Sequence, residues 1–150
     1  MMDAVNIFTV ENPGRVDVAT AAGSTETAMF VYDIAPGQSS CPYHYEYAEE
    51  WLLVVAGTVT VRTPDGGHTL NRGDIVRFPS GPGGAHKIMN KSDSPARTLV
   101  FSKSREPAVS VYPDSNKIGV WPGDPTDELI FVRDTAVSYS HGEEGWDKAN

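Results

Sequence analysis

The chain of 150 residues has one cysteine, Cys41. An intrachain disulfide is therefore excluded, and a reducing, cytoplasmic setting is expected. Basic residues are scarce: 12 Lys and Arg stand against 20 Asp and Glu, a net charge of −8. They are scattered, so the basic patch that phosphate backbones require is missing and nucleic acid is not an expected partner. No apolar run approaches the ~18 residues of a membrane helix, so no membrane association is expected. The opening residues M-M-D-A-V-N-I-F-T-V lack the basic and apolar regions of a secretion leader. Long helices are also disfavoured, because 14 Gly and 11 Pro punctuate the chain.

What remains is a succession of short strand patterns. The length suits one domain, residues 1–150, with a core of its own. Strands are expected at 7–10, 15–19 and 27–35, with a loop at 21–26. Residues 43–47 alternate, placing His44 and Glu46 on one face and Tyr43, Tyr45 and Tyr47 on the other. Residues 51–56 form a continuous apolar run, as in a strand buried on both faces, and Trp51 reads as core. Residues 58–63 alternate so that Val59 and Val61 point inward. Pro64-Asp65-Gly66-Gly67 is a hairpin turn. Further strands are expected at 68–70, 75–78, 86–90, 96–103, 109–112, 118–121 and 129–133, and 122–127 reads as an exposed loop. Asn12-Pro13-Gly14 is a turn signal. Strands separated by Gly/Pro turns every 8 to 12 residues indicate an all-β sandwich or barrel. Residues 106–150 read as a C-terminal extension packed on that barrel, and the tail after Ser138 has little core content.

The chemistry concentrates between Gly37 and Gly57. His44 and Glu46 lie two apart and so converge on one face of a strand. Glu50 opens the next strand, where its carboxylate can swing back to the same interior. His86 follows the turn P-S-G-P-G-G, and His86, Ile88 and Asn90 share a face. Neutral imidazoles and carboxylates are a common ligand set for a divalent metal.

These residues resemble the two motifs of the cupin superfamily, in particular small single-domain bacterial cupins with the cupin 2 conserved barrel. The first motif, G-x5-H-x-H-x3,4-E-x6-G, is matched over residues 37–57 by Gly37, His44, Glu46, Glu50 and Gly57, with six residues after Gly37 instead of five. The second, G-x5-P-x-G-x2-H-x3-N, is matched over 73–90 by Gly73, Pro79, Gly81, His86 and Asn90, with four residues before the histidine instead of two. The resemblance implies a cupin-type double-stranded β-helix, a jelly-roll barrel. It also implies a divalent transition metal held by His44, Glu46, Glu50 and His86. Glu46 stands where the family has a second histidine. Two imidazoles and two carboxylates leave a doubly charged ion neutralised, which favours Fe or Mn; Zn and Ni are also compatible. His44, Glu46 and His86 also resemble the His-x-carboxylate…His triad of non-haem iron oxygenases, in which case Glu50 lies outside the ligand set.

Glu46 and Glu50 are the catalytic candidates, since the carboxylate that does not ligate is free to transfer protons. The expected activity is metal-dependent chemistry of dioxygenase or isomerase type on a small organic molecule, neutral or aromatic rather than a polyphosphate. The alternative is a non-catalytic small-molecule-binding or sensor cupin, with or without metal. Arg62 and Arg77 are not securely placed for anion binding. His68, His141 and the acidic pair Glu143-Glu144 read as surface, Cys41 as a small buried residue, Asp74 as a turn cap and Asn90 as structural. The tyrosine stripe is expected against a second sheet or a partner copy, and a homodimer is expected.

Overall fold

The computed structural model describes residues 4–11, 14–103 and 106–143. Strands appear in chain order as β1 (Arg15–Asp17), β2 (Ala28–Ile34), β3 (Tyr45–Glu46), β4 (Glu50–Ala56), β5 (Thr58–Thr63) and β6 (Gly66–Asn71). They continue as β7 (Ile75–Phe78), β8 (Lys87–Met89), β9 (Ala96–Ser102), β10 (Ala108–Tyr112), β11 (Lys117–Trp121) and β12 (Leu129–Val132). A five-stranded sheet has the order β1-β2-β9-β4-β7, a four-stranded sheet β12-β11-β10-β3, and a three-stranded sheet β6-β5-β8. All the pairings are antiparallel.

The alternation of β5 places Val59 and Val61 in the interior, where they meet Leu52 and Val54 of β4, Phe78 of β7 and Ile88 of β8. Leu52 is wholly buried. The opposite face of β4 is covered too: Val55 packs with Val18, Val31 and Leu99, and the segment carrying Val5, Ile7 and Val10 closes over them. The continuous apolar run of β4 is thus a strand buried on both faces.

Four local expectations need correction. Residues 7–9 form a turn rather than a strand, because Asn6 supplies both backbone and side-chain acceptors to the amides that follow. The strand expected over 15–19 stops at Asp17, whose carboxylate caps a single helical turn, Val18–Ala21, by accepting from the amide of Thr20 at 2.9 Å. Trp51 is half-buried on the outer face, stacked on Phe101, and its Nε1–H donates to Glu49. The tyrosine stripe divides: Tyr43 and Tyr45 are buried with Val111 and Ile118, which belong to the same four-stranded sheet as Tyr45, whereas Tyr47 is 66% exposed. Its partner on that face stops short of Tyr47, since β10 pairs only with Tyr45 and Glu46. Asn12 and Pro13 of the first turn, and Glu144 of the acidic tail, lie outside the described residues.

Turn chemistry fixes the registers. Asp74 accepts from the amide of Asn71 at 2.7 Å. Asn90 is fully buried and ties three chain segments, its Nδ2 donating to the carbonyls of Ile34 and Ser94 and its Oδ1 accepting from Ser92. Gly57 has φ +74, and a Cβ there would lie 2.7 Å from the carbonyl oxygen of Pro95. Only glycine fits that corner. At the far edge of the second sheet, all four apolar residues of β12 are exposed. Among the described residues, no helix is long and apolar enough to cross a membrane.

Candidate metal centre

The sequence-predicted residues converge. His44 forms a two-way backbone bridge with His86, each amide donating to the other's carbonyl at 3.0 and 2.8 Å. This bridge, rather than a continuous strand over 43–47, sets the two imidazoles side by side, with ring centroids 4.9 Å apart. The long turn before His86 folds as a short 3-10 turn, Pro82–Gly84. Its Gly81 amide donates to the carbonyl of Glu46 at 2.7 Å, so the loop is stitched to β3.

Each imidazole is oriented by its own backbone. Nδ1 of His44 lies 3.0 Å from the carbonyl oxygen of Pro42, and Nδ1 of His86 lies 2.9 Å from that of Gly84. A carbonyl oxygen only accepts, so each Nδ1 carries a hydrogen and each Nε2, in the neutral ring, offers a lone pair inward. Metal-ligating histidines are held in this way, one ring nitrogen donating to a fixed acceptor and the other left to the ion. Phe78 stacks on His86 at 3.7 Å and Tyr112 on His44 at 5.9 Å, fixing both rings.

Glu50 Oε2 lies 3.7 Å from His86 Nε2 and 3.9 Å from His44 Nε2. These distances exceed those of hydrogen bonds. Donors that share one ion through bonds of about 2 Å stand about 3 to 4 Å apart, so the spacing suits a shared ion. Donor atoms of His44, Glu46 and Glu50 lie within 4.8 Å of one another, as do those of Cys41, His44 and His86. The donor chemistry and the oriented Nε2 atoms therefore fit a divalent metal.

Electrostatics separates the four groups. Burial pushes the Glu50 carboxyl up to about 7, and the nearby Glu46 charge adds to this against the pull of His44. Burial drives His86 down to about 4, reinforced by repulsion from His44. Burial also opposes the charge on His44, but the hydrogen bond and charge of Cys41 and the Glu50 carboxylate outweigh it and hold His44 up at about 9. The Cys41 thiol is lowered: burial raises it, and the hydrogen bond and charge of His44 overcome that. His44 thus carries a proton that a cation bound there would have to displace.

Three contributors escaped the sequence reading. Ser110 of β10 pairs in register with Glu46, and its Oγ donates to Glu46 Oε1 at 2.9 Å while accepting from Trp121 Nε1–H at 3.1 Å. The strand expected over 109–112 gave the alternation, but nothing in it reveals the partner strand. Tyr112 and Cys41 also line the cavity around the four residues, which has a volume of about 950 Å³. Arg62 and Arg77 face away and pair with Asp114 and Glu49. His68 and His141 are exposed.

Residues 30–102 match the family profile described as Cupin domain. The barrel has the same fold as a sugar phosphate isomerase of the cupin superfamily from Silicibacter pomeroyi, with a TM-score of 0.77, 20% identity, and coverage of 91% of this chain and 98% of that one. Residues 30–102 of the chain are thus a cupin domain, and the fold is that of the cupin superfamily. Protein SchB of Streptomyces halstedii is 34% identical over 82 residues, 55% of this chain and 57% of that protein, so the match spans little more than half of the relative. The polyketide cyclase RemF of Streptomyces resistomycificus shares the fold at a TM-score of 0.58 and 21% identity, covering 72% of this chain and 84% of its own. Two of the departures from the family motif now have a structural setting: Glu46 is tethered to β10, and the added residues before His86 build the 3-10 turn whose Gly84 carbonyl orients it.

Proposed function

We propose that this cupin is a metal-dependent enzyme that moves protons on a neutral, aromatic-type organic molecule, the isomerase side of the expected activities. The observation that carries the reading is the division of labour between two carboxylates. Glu50 faces both imidazole Nε2 atoms, whereas Glu46 is held by Ser110 beside them. His44, His86 and Glu50 would hold the ion, and Glu46 would be the proton carrier. That assignment favours Glu50 over Glu46 as ligand and so departs from the non-haem oxygenase triad. A divalent ion held there would supply Lewis-acid polarisation of a substrate oxygen. Glu46, at its free carboxylate oxygen, would take a proton from the substrate and return it at another position. Ser110 positions that carboxylate, and the aromatic side chains Phe30, Tyr32 and Tyr112 give the cavity flat walls.

Substrate charge follows from the lining. Asp17, Glu46, Glu50, Glu106 and Glu128 face the cavity with one guanidinium, Arg15, which is engaged over the ring of Phe30. Such a lining repels a phosphate. A sugar phosphate, the substrate in the name of the Silicibacter protein, suits it less than a neutral compound of the polyketide class.

Metal analysis of tag-free protein, after exposure to Fe(II), Mn(II) or Zn(II), tests the reading. One ion per chain is expected in wild type and in Glu46→Ala, with loss of the ion in Glu50→Ala. Absence of uptake in wild type sinks the metalloenzyme. Loss of the ion in Glu46→Ala returns Glu46 to the ligand set and removes its proposed role.

The proposal includes a homodimer. Leu129, Ile130, Phe131 and Val132 form an exposed, uncharged edge strand, a template for pairing with another copy. Sedimentation is expected to give a dimer that Phe131→Asp dissociates. A wild-type monomer at micromolar concentration removes this part of the proposal.

A further inference from the structure

The four residues of the motif do not exhaust the donors at this centre. Cys41 lies three residues before His44, and one donor atom each from Cys41, His44 and His86 lies within 4.8 Å of the other two. This group shares both histidines with the cluster that faces Glu50. Strand β8 holds the thiol there. The Ser40 amide donates to the carbonyl of Ile88 at 3.1 Å, fixing the segment on β8 two residues from His86, and Ser40 Oγ donates to Cys41 Sγ at 3.6 Å.

The surroundings of the thiol are those of a donor rather than of a packing residue. A cysteine used as a small hydrophobe sits among aliphatic side chains. Cys41 belongs to none of the apolar clusters among the described residues. It instead lines the cavity beside His44, His86 and Glu50. His86 supplies the second observation. Its side chain is 2% exposed, its Nδ1 is taken by Gly84, and its Nε2 points into the cluster with Glu50 no nearer than 3.7 Å.

We propose that Cys41 is a ligand of the ion, binding as thiolate together with His44 and His86. The inference rests on the metal reading above and adds a ligand to it. On binding, the sulfur–hydrogen bond breaks, the proton leaves to solvent, and the sulfur lone pair forms the bond to the ion; no redox partner is needed. A thiolate is a soft donor, and its presence moves the preference of the site toward Zn(II), Fe(II) and Co(II) and away from Mn(II), which takes oxygen donors. The expectation of Mn from the carboxylates alone is thereby weakened.

Co(II) titration of the full, tag-free chain under reducing, anaerobic conditions tests this. A thiolate bound to Co(II) gives an intense near-ultraviolet charge-transfer band, while the weaker visible bands and metal analysis report binding by any ligand. Cys41 is the single cysteine, so the charge-transfer band has one possible source. The expected result is a band that saturates at one Co(II) per chain and is lost in Cys41→Ser, with Co(II) still bound. Co(II) bound to wild type without the band overturns the assignment of Cys41 and leaves the metal reading intact. Failure of wild type to take up Co(II), Zn(II) or Fe(II) overturns both.

Discussion

Metal-free Glu50→Gln is expected to be more stable than metal-free wild type at about pH 8, by about 3 kcal/mol. The folded protein buries this carboxylate and raises it from 4.5 to about 7. Below 4.5 the group is protonated in both folded and unfolded chains and contributes nothing to the difference. As the pH rises from 4.5 through 7, the unfolded chain releases the proton first, and ionisation favours unfolding. Above 7 the full cost is present, roughly 1.4 kcal/mol for each pH unit between the two values. The Glu50 side chain is 13% exposed, so solvent screening removes little of it. The attraction of His44 is already contained in the raised value. Melting curves without metal should therefore converge near pH 4.5 and separate by roughly 6 to 12 °C at pH 8, the variant above. Added Zn(II) or Fe(II) should reverse the order, because wild type gains binding energy that the variant lacks. A variant that melts below wild type across this whole range, without metal, would show that the carboxylate is not a liability of the apo fold. The residue is then costly to the empty barrel and useful to the loaded one, the trade expected of a ligand.

Gly84→Ala should be the most damaging single methyl in the barrel. Its Cβ would stand 1.7 Å from the carbonyl oxygen of Pro79 and 2.9 Å from the carbonyl carbon. Both are backbone atoms, so no side chain can swing aside and the turn itself must open. The Gly84 amide donates to Gly81, Gly81 donates to Glu46, and the Gly84 carbonyl holds Nδ1 of His86. Opening the turn thus disturbs the Glu46 strand and the orientation of His86 together. A loss of about 3 to 5 kcal/mol is expected, a fall in melting temperature on the order of 10 °C. Gly83→Ala is the matched control: a Cβ there meets nothing within 4 Å, and the change should be within about 0.5 kcal/mol. Equal melting of the two variants would contradict the geometry of this turn.

Much of the arrangement is written in local pattern. Alternation in 58–63 is enough to send Val59 and Val61 inward, because the side-chain period of a strand is two regardless of its neighbours. The glycines of the two motifs mark corners with positive φ, which the chain can take only where a Cβ is absent. The spacing of His44 from Glu46, and of His86 from Asn90, places each pair on one face for the same reason. Where local signals compete with capping, as at residues 6–9 and 17–21, strand propensity loses to the hydrogen bonds that Asn6 and Asp17 offer the backbone.

The sequence by itself determined an all-β barrel, the His44, Glu46, Glu50 and His86 cluster, and the family whose motifs they match. Tertiary structure alone decided how the members of that cluster differ. Glu46 is tethered because β10, 64 residues away, pairs with β3 and brings Ser110 against it. Glu50 is raised because burial and a neighbouring carboxylate act on it together. Cys41 enters the donor set because the segment before His44 is bonded to β8. Strand pairing is non-local, and a carboxylate's pKa or a thiol's role depends on what non-local pairing brings within a few ångströms. Sequence spacing carries no such information.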